Sequence, residues 1–475
     1  MAEKENLRQL VVIGAGPGGY AGAFVAADLG MQVTLIDPES NPGGVCLYRG
    51  CIPSKMLLHI SKIITDAGEA KKWGVEFSEP RIDVDKIRSW KNSVIKRLVG
   101  GLGQLCKLRK IEFIQGKASF VGGNTLEVKR KRNSTERISF EHAILATGAS
   151  AGTIPNIPVD SGLVMDSTKA LEVENIPKSM LVVGGGYIGL ELGSVYAALG
   201  TKVSVVEMTA NLMPGSDLEL ISVLAKRLGR LFESIMLNTT VVQLKEQNDG
   251  IKVIFEGEKI GTSEKLYEKV LVAVGRKPNT AGLGLENTQV QIDEKGFVKV
   301  NKKRQTDDGS IYAIGDVVGG PLLAHKASHE ARVAAKAISG FDAAFETQGI
   351  PFVEYTDPEV AECGLSEREA AKEKRLVKVA KFPWSASGRA ATMGQSEGLT
   401  KLIIDTNTER VLGVGIVGTG AGELISEGAL AVETGASAKE IASTIYPHPT
   451  LSETIMEAAQ IFLGDSIHLY KPRRA

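Results

Sequence analysis

Residues 10 to 19 read Leu10-Val11-Val12-Ile13-Gly14-Ala15-Gly16-Pro17-Gly18-Gly19. The four apolar residues predict a buried parallel strand, and Gly14, Gly16 and Gly19 follow with the spacing of a dinucleotide-binding turn. There the first glycine permits the tight bend, the second lets the backbone approach a pyrophosphate, and the third lets helix pack on strand. A helical stretch to Leu29 and a second strand ending at Asp37 complete a predicted dinucleotide-binding unit.

The same arrangement returns further along the chain. The second unit consists of the run Leu181 to Val183, then Gly184, Gly186 and Gly189, a helical stretch to Leu199, and a strand ending at Glu207. Its acid stands as far beyond the first glycine as Asp37 does in the first unit. Two complete units in one register predict two dinucleotide sites, and the alternative is that one unit is a Rossmann core without a ligand.

The acid of the second unit predicts the choice of dinucleotide. The carboxylate of Glu207 would repel the 2′-phosphate of NADP, and the following residues, Met208 to Asn211, contain no arginine that could neutralise it. The second unit is therefore predicted to prefer NAD.

Two cysteines, Cys46 and Cys51, lie just beyond the first unit. On a regular helix they would be about 140° apart in azimuth and about 7.5 Å apart in rise, so a bonded pair needs an irregular turn. Gly50 and Pro53 fit a loop that enters a helix, where the helix dipole lowers a thiol pKa. The alternative is two reduced cysteines in a loop, but two dinucleotide sites beside a dithiol predict FAD and NAD with sulfur as the third redox partner.

Composition narrows the classes of protein. Lys+Arg and Asp+Glu both number 56, so there is no net basic field for nucleic acid. The absence of an apolar run of about 18 residues predicts no membrane span, and the mixed, polar first ten residues predict a cytoplasmic protein. The four cysteines are too few for a framework of structural disulfides, and Cys106 and Cys363 are predicted to be core residues. No cluster of His or Cys residues has the spacing of zinc ligands.

Taken jointly, these motifs and several others resemble those of the flavin-dependent disulfide oxidoreductases, most closely the branch that oxidises dihydrolipoamide. The resemblance covers essentially the full chain. The motifs that carry it, besides the two glycine fingerprints, are residues 43–55, Ala146-Thr147-Gly148, Gly275-Arg276-Lys277-Pro278-Asn279, Gly315-Asp316-Val317, Leu323-Ala324-His325-Lys326-Ala327 and His448-Pro449-Thr450-Leu451-Ser452-Glu453.

The resemblance implies two cofactor sites. The implied FAD site comprises Gly14, Gly16, Gly19, Asp37, Gly44, Lys55, Gly116, Thr147, Gly148, Asp316, Leu323, Ala324 and His325. The implied NAD site comprises Gly184, Gly186, Gly189, Glu191, Glu207, Val241 and Gly275. Lys55 is similar to a lysine beside the flavin N5 atom, and Glu191 to its ion-pair partner.

A disulfide exchange needs a base near neutral pH, and histidine suits that task. His448 stands out because Glu453 follows across a turn and could fix the imidazole tautomer. The resemblance implies that His448 reaches the partner subunit's dithiol in a homodimer, that Cys46 exchanges with the substrate sulfur, and that Cys51 contacts FAD. The implied activity is oxidation of dihydrolipoamide on the lipoyl domain of a 2-oxoacid dehydrogenase or glycine cleavage complex, with reduction of NAD.

The predicted fold class is α/β, with two Rossmann-like dinucleotide-binding domains and an α+β dimerisation domain. Residues 1–150 and 271–345 are predicted to form a discontinuous FAD domain, 151–270 an inserted NAD domain, and 346–475 the dimerisation domain. Pro155 and Pro158 punctuate the first crossing.

Some residues depart from the pattern of the branch, and two other functions stay open. Val45, Tyr48-Arg49 and Tyr446-Pro447 replace commoner residues beside the dithiol or the base, and Tyr187 either gates the nicotinamide pocket or merely packs. The alternatives are a glutathione reductase-like enzyme and a non-catalytic flavoprotein scaffold in a dehydrogenase complex.

Overall fold

The structure is a computed structural model that describes residues 7–130, 134–154, 162–258 and 261–469. Pro155 and Pro158 lie outside the described residues. The N-terminal part contains β1 (Leu7–Ile13), α1 (Pro17–Asp28), β2 (Val33–Asp37), α2 (Gly44–Arg49), α3 (Cys51–Glu69), α4 (Val84–Leu108), β3 (Glu112–Gly122), β4 (Thr125–Arg130), β5 (Thr135–Leu145) and β6 (Ala149–Ala151).

The middle of the chain contains the second fingerprint. Its elements are β7 (Val164–Met165), α5 (Ser167–Ala170), β8 (Ser179–Val183), α6 (Tyr187–Ala198), β9 (Lys202–Val206), α7 (Leu218–Leu231), β10 (Ser234–Met236), β11 (Thr239–Gln247), β12 (Gly250–Gly257), β13 (Gly261–Tyr267) and β14 (Lys269–Val272). The chain then continues through β15 (Arg276–Pro278), β16 (Ile311–Ala313) and α8 (Ala324–Ile338).

The C-terminal part alternates short strands with helices. Its elements are β17 (Phe352–Glu354), β18 (Glu359–Gly364), α9 (Glu367–Lys372), β19 (Val377–Pro383), α10 (Gly388–Thr392), β20 (Leu399–Asp405), β21 (Val411–Gly418), α11 (Ala421–Thr434), α12 (Ala438–Ser443) and α13 (Glu453–Leu463).

The first sheet has a parallel core in the order β3, β2, β1, β5 and β16, and β4 forms antiparallel pairs with β3 and β5. Residues Leu10 to Ile13 of β1 are at most 4% exposed, as expected for a strand covered on both faces. Because β16 pairs with β5, residues 311–313 return to the sheet that holds the first fingerprint.

The second sheet is parallel in the order β10, β9, β8, β14 and β7 and has the antiparallel sheet β11, β12 and β13 beside it. The C-terminal sheet is antiparallel in the order β17, β18, β21, β20 and β19, and its core joins Trp384 and Ile416 with Ile455 of α13. This arrangement confirms the predicted fold class. The domain boundaries themselves stay a prediction.

No helix within these described ranges is long and apolar enough to cross a lipid bilayer.

Candidate active site

A cavity of about 890 Å³ lies at the carboxyl ends of β1, β2 and β5, where open α/β sheets bind ligands. Its volume is in the range of cofactor sites. The predicted site residues that line it are Gly14, Gly16, Asp37, Gly44, Cys46, Cys51, Lys55, Gly116, Thr147, Gly148, Glu191, Asp316 and Ala324. Residues from five separate parts of the chain are therefore brought to one cavity.

The first fingerprint has the geometry that its glycines predict. Gly14 has a φ of 95°, and a Cβ on Gly19 would overlap the carbonyl oxygen of Gly14. The carboxylate of Asp37 accepts hydrogen bonds from the backbone N–H of Ala15 at 2.6 Å and of Glu39 at 2.9 Å. Burial raises the pKa of Asp37. The carboxylate is thus held rigidly at the edge of the cavity.

The segment that carries the dithiol is pinned to this fingerprint. The N–H of Gly43 donates to the carbonyl of Ala15 at 2.8 Å, and Gly44, with a φ of 56°, lies so close to Gly16 that a Cβ there would overlap the Gly16 backbone. Only glycine fits both demands at residue 44. The packing leaves a backbone cradle, which no side chain fills, and so the site fits a dinucleotide such as FAD.

The two cysteines lie on either side of a break between helices. Cys46 is inside α2, Cys51 is the first residue of α3, and Gly50 separates them with φ and ψ of −148° and −113°. Hydrogen bonding with Cys46 and the charge of Lys55 lower the pKa of Cys51 to about 7. The same hydrogen bond raises the pKa of Cys46. The helix start predicted for Cys51 is therefore observed, and Cys51 is the thiol poised to ionise.

An ion pair joins the dithiol helix to the second fingerprint. Lys55 Nζ lies 3.0 Å and 2.9 Å from the two carboxylate oxygens of Glu191, which is on α6 and almost fully buried. Glu191 also accepts from the backbone N–H of Tyr355 at 3.1 Å, and Lys55 Nζ stands 4.4 Å from the centre of the Tyr355 ring. Sequence reasoning missed Tyr355, because no motif or spacing links it to either partner.

The second fingerprint repeats the backbone geometry of the first on a separate face. Gly184 has a φ of 109°, and Glu207 accepts from the N–H of Gly185 at 2.7 Å and of Thr209 at 2.8 Å. A Cβ on Gly186 would meet nothing within 4 Å, and so the backbone there is open to an approaching pyrophosphate. This open backbone and the acid fit NAD.

Other predicted NAD residues lie around this turn or beyond it. A Cβ on Gly189 would overlap the Gly184 carbonyl, and Gly275, with a φ of 117°, accepts a hydrogen bond from Gly152. Val241 is half-buried on β11. None of these residues lines the cavity of the first fingerprint.

His448 and Glu453 form the predicted pair. His448 Nδ1 is 2.9 Å from Glu453 Oε1, and the other carboxylate oxygen accepts from the N–H of Thr450 at 2.7 Å. The His448 side chain is 73% exposed and does not line the cavity of its own chain. The imidazole is therefore accessible from outside the chain, and its contact with a partner subunit stays a prediction.

Three predicted FAD residues, Gly19, Leu323 and His325, do not line the cavity. Leu323 precedes the first turn of α8, and His325 Nε2 lies 2.7 Å from the carbonyl of Pro351. Leu322 and Ala324 line the cavity instead. Contacts from Leu323 and His325 to a cofactor stay a prediction.

Several of the residues that differ from the pattern of the branch have specific contacts in the structure. Tyr187 lines the cavity with its ring edge-on to Phe352 at 5.7 Å, and burial raises its pKa to about 12. Arg49 also lines the cavity and pairs with Glu39. Tyr446 donates to Glu427. Tyr187 both packs and faces the site, which the sequence could not decide.

The described part of the chain contains no group of three or more His, Cys, Asp or Glu side chains that could hold a metal ion.

Comparison with known proteins places the chain in a family. Residues 8–331 match the pyridine nucleotide-disulphide oxidoreductase family, and residues 350–459 match the dimerisation domain of the same family, which supports a homodimer. Dihydrolipoyl dehydrogenases from Vibrio cholerae and Haemophilus influenzae are each 45% identical over 461 residues, covering 97% of this chain and 97% and 96% of theirs.

Solved structures agree with this assignment. LpdA from Mycobacterium tuberculosis superposes with a TM-score of 0.89 at 25% identity, covering 96% of this chain and 99% of that one. The HOCl-induced flavoprotein disulfide reductase RclA from Escherichia coli, solved as a Cu(II) complex, superposes with a TM-score of 0.85 at 27% identity, covering 96% and 99%. The chain belongs to the pyridine nucleotide-disulphide oxidoreductase family and is an NAD-dependent flavoprotein oxidoreductase that uses FAD.

Proposed function

We propose that this enzyme oxidises protein-bound dihydrolipoamide to lipoamide and passes the two electrons to NAD through FAD and the Cys46–Cys51 pair. The observation that carries the proposal is the position of the dithiol, which shares one cavity with the Lys55–Glu191 ion pair that leads to the second fingerprint. The relatives named dihydrolipoyl dehydrogenase support the choice of substrate.

The residues around the cavity fit FAD, and three of them would hold it. Asp37 would accept from the adenosine ribose, the N-terminus of α1 would face the pyrophosphate, and Asp316 would hold the ribityl chain. Burial raises the pKa of Asp316, which the charge of Arg276 opposes. When bound, FAD supplies the two-electron chemistry that connects a dithiol to a nicotinamide.

The dithiol performs the sulfur chemistry. A substrate thiolate attacks Cys46 Sγ of the oxidised pair, the Cys46–Cys51 bond breaks, and Cys51 leaves as a thiolate. The second substrate sulfur then displaces Cys46, which closes the lipoamide disulfide and leaves the enzyme with the two electrons. A pKa of about 7 makes Cys51 a good leaving group near neutral pH.

His448 of the partner subunit is the proposed base. It takes the proton of the first substrate thiol on Nε2, while Glu453 on Nδ1 fixes the tautomer and stabilises the imidazolium. The proton of the second substrate thiol passes to the Cys46 sulfur as that sulfur is displaced, so the reduced enzyme holds the Cys51 thiolate, the Cys46 thiol and the His448 imidazolium. Lys55 and Glu191 form a charge-balanced pair at the wall between the two dinucleotide sites.

We propose the predicted domain division, with residues 1–150 and 271–345 around FAD, 151–270 around NAD and 346–475 at the dimer interface. The substrate arm comes from the lipoyl domain of a 2-oxoacid dehydrogenase or glycine cleavage complex. A cytoplasmic location fits a redox-active cysteine pair without a structural disulfide framework.

Steady-state kinetics test the proposal. NAD reduction by dihydrolipoamide is compared with NADPH-linked reduction of oxidised glutathione, with Cys46→Ser as the inactive control. Brisk lipoamide turnover is expected, and negligible lipoamide turnover beside brisk glutathione turnover would reject it. A scaffold would hold FAD yet show no bleaching of the flavin by NADH.

A further inference from the structure

Strand β17 and Tyr355, the residue that follows it, contact the nucleotide-binding part of the molecule at three points. Phe352 packs edge-on to Tyr187, Glu354 Oε1 lies 3.5 Å from Ser216 Oγ, and the N–H of Tyr355 donates to Glu191. Tyr187 and Glu191 are both on the fingerprint helix α6. The strand therefore forms one wall between the C-terminal part and the Lys55–Glu191 pair.

Glu354 is anomalous in this wall. Its side chain is fully buried, and its Oε2 has no hydrogen-bond partner among the described residues. An isolated buried carboxylate is strongly disfavoured, so the group keeps its proton or finds a partner. Burial raises the pKa of Glu354 well above its usual range, and the charges of Glu362 and Glu191 raise it further.

Within the described ranges Glu354 forms no ion pair, and its surroundings are acidic or already paired. Glu362, on the adjacent strand β18, accepts from the N–H of Asp217 at 3.0 Å, and Asp217 in turn binds Lys401 Nζ. Lys401 also binds Glu219 and Glu367, and Lys55 is engaged by Glu191. Ser216 Oγ is a polar contact of the other carboxylate oxygen, Oε1. Lys401 and Lys55 are thus already paired with carboxylates, which fits the neutral form of Glu354.

We propose that Glu354 is a positioning residue that holds a proton beside the Lys55–Glu191 pair, and that loss of this proton makes reduction of the dithiol and flavin less favourable. An ionised Glu354 would add a negative charge to a balanced pair. That charge opposes the arrival of electrons in the adjoining cavity. By reciprocity, reduction of the enzyme strengthens proton binding to Glu354.

The proposal rests on the proposed role of the Lys55–Glu191 pair, and its test needs no lipoamide, so its failure is distinguishable from failure of the substrate assignment. The holoenzyme and the isosteric variant Glu354→Gln are titrated anaerobically with NADH from about pH 5.5 to about pH 9.5. The equilibrium constant for two-electron reduction is read from the flavin spectrum.

The two proteins should agree at the acid end. At the alkaline end the equilibrium constant of Glu354→Gln should be about tenfold above that of the wild type, which is the effect of one unit charge about 12 Å away at an effective dielectric constant of about 20. The pH at which the wild-type equilibrium constant begins to fall below that of Glu354→Gln marks ionisation of Glu354. Ser216→Ala removes a hydrogen bond that favours the carboxylate, and so this pH should be higher in Ser216→Ala than in the wild type.

The matched control is Glu359→Gln, the same change on β18, where the carboxylate already accepts from the N–H of Gly422 at 2.8 Å. It should follow the wild-type curve. Superposed curves for wild type and Glu354→Gln, or curves separated by a constant offset at every pH, would overturn the proposal.

Thermal unfolding at several pH values tests the protonation of Glu354 without any redox titration. Because the folded state binds the Glu354 proton more tightly than the unfolded chain, this group lowers stability as pH rises above about 4.3. The thermal midpoint of Glu354→Gln relative to wild type should therefore rise with pH. A difference that is flat or falls with pH would contradict the proposal.

Discussion

The two fingerprint units, residues 14–37 and 184–207, share one backbone geometry. In each, the first glycine has a φ near 100° and the terminal carboxylate accepts from the N–H of the residue after that glycine. They differ in what lies over the second glycine. Gly16 is covered by Gly44 and the dithiol segment, whereas a Cβ on Gly186 would find no other atom within 4 Å.

This difference separates two uses of one motif. The covered unit borders a cavity of about 890 Å³ closed by residues from distant parts of the chain, which suits a cofactor that stays bound. The open unit leaves its turn accessible, which suits a dinucleotide that arrives and leaves in each cycle. What covers the turn, rather than the glycine spacing, distinguishes a resident group from a cosubstrate.

The largest expected effect comes from opening the covered unit. Gly44→Ala places a Cβ into the Gly16 backbone at a φ of 56°, and the strain alone costs about 1–2 kcal/mol. The FAD content of the purified protein should fall more than about tenfold. Gly186→Ala is the matched change in the open unit and should keep full FAD while raising the KM for NAD. Equal loss of FAD in both variants would contradict the proposed difference between the covered and the open unit.

The next effect concerns the ion pair that links the two units. Glu191→Gln removes the carboxylate from Lys55 and should slow flavin reduction by NADH about 10²-fold, as loss of one preorganised electrostatic contact does. Stopped-flow spectroscopy measures the rate. Ser54→Ala, which removes only a hydroxyl 3.3 Å from Glu191, is the control. A rate for Glu191→Gln equal to that of the control would mean that the pair is merely structural.

A smaller effect should alter cosubstrate choice in the open unit alone. Glu207→Gln removes the charge that repels a 2′-phosphate, and the ratio of kcat/KM for NADP to that for NAD should rise about tenfold. Asp37→Asn is the equivalent change in the covered unit. It should weaken FAD retention and leave this ratio unaltered. A ratio that shifts equally in both variants would show that the two acids are not specialised.

The smallest expected effect is a pH dependence at the dithiol. The pKa of Cys51 is lowered to about 7, below its unfolded value of about 8.5. The thiolate therefore adds stability that is fully present above about pH 8.5 and is lost as pH falls through about 7.

Urea unfolding of the reduced protein measures this effect. The urea midpoint of the wild type minus that of Cys51→Ser should become smaller as the pH is lowered from about 9 to about 6. Alkylation of Cys51 should be half-maximal near pH 7, whereas Cys106, whose pKa burial raises to about 11, should stay unreactive. A midpoint difference independent of pH would contradict the assignment.

The sequence was enough to predict those features for which the local backbone geometry restricts the residue type. Gly14 and Gly184 adopt a backbone that favours glycine, and the Lys55–Glu191 pair was predicted through a family motif. The contacts of Tyr355 and the burial of Glu354 were not predictable, because they arise where β17 packs against α6, far away in the chain. The orientation of His325 toward Pro351 is likewise a packing outcome.

The proposed action of the exposed His448 in the partner subunit has a genetic consequence. A chain carrying Cys46→Ser still offers its imidazole to a neighbour, and a chain carrying His448→Gln still offers its sulfurs. Neither variant should support growth that depends on the enzyme, yet co-expression would assemble mixed pairs with one complete centre each. With random pairing about a quarter of all centres would be intact, so two null alleles should complement each other.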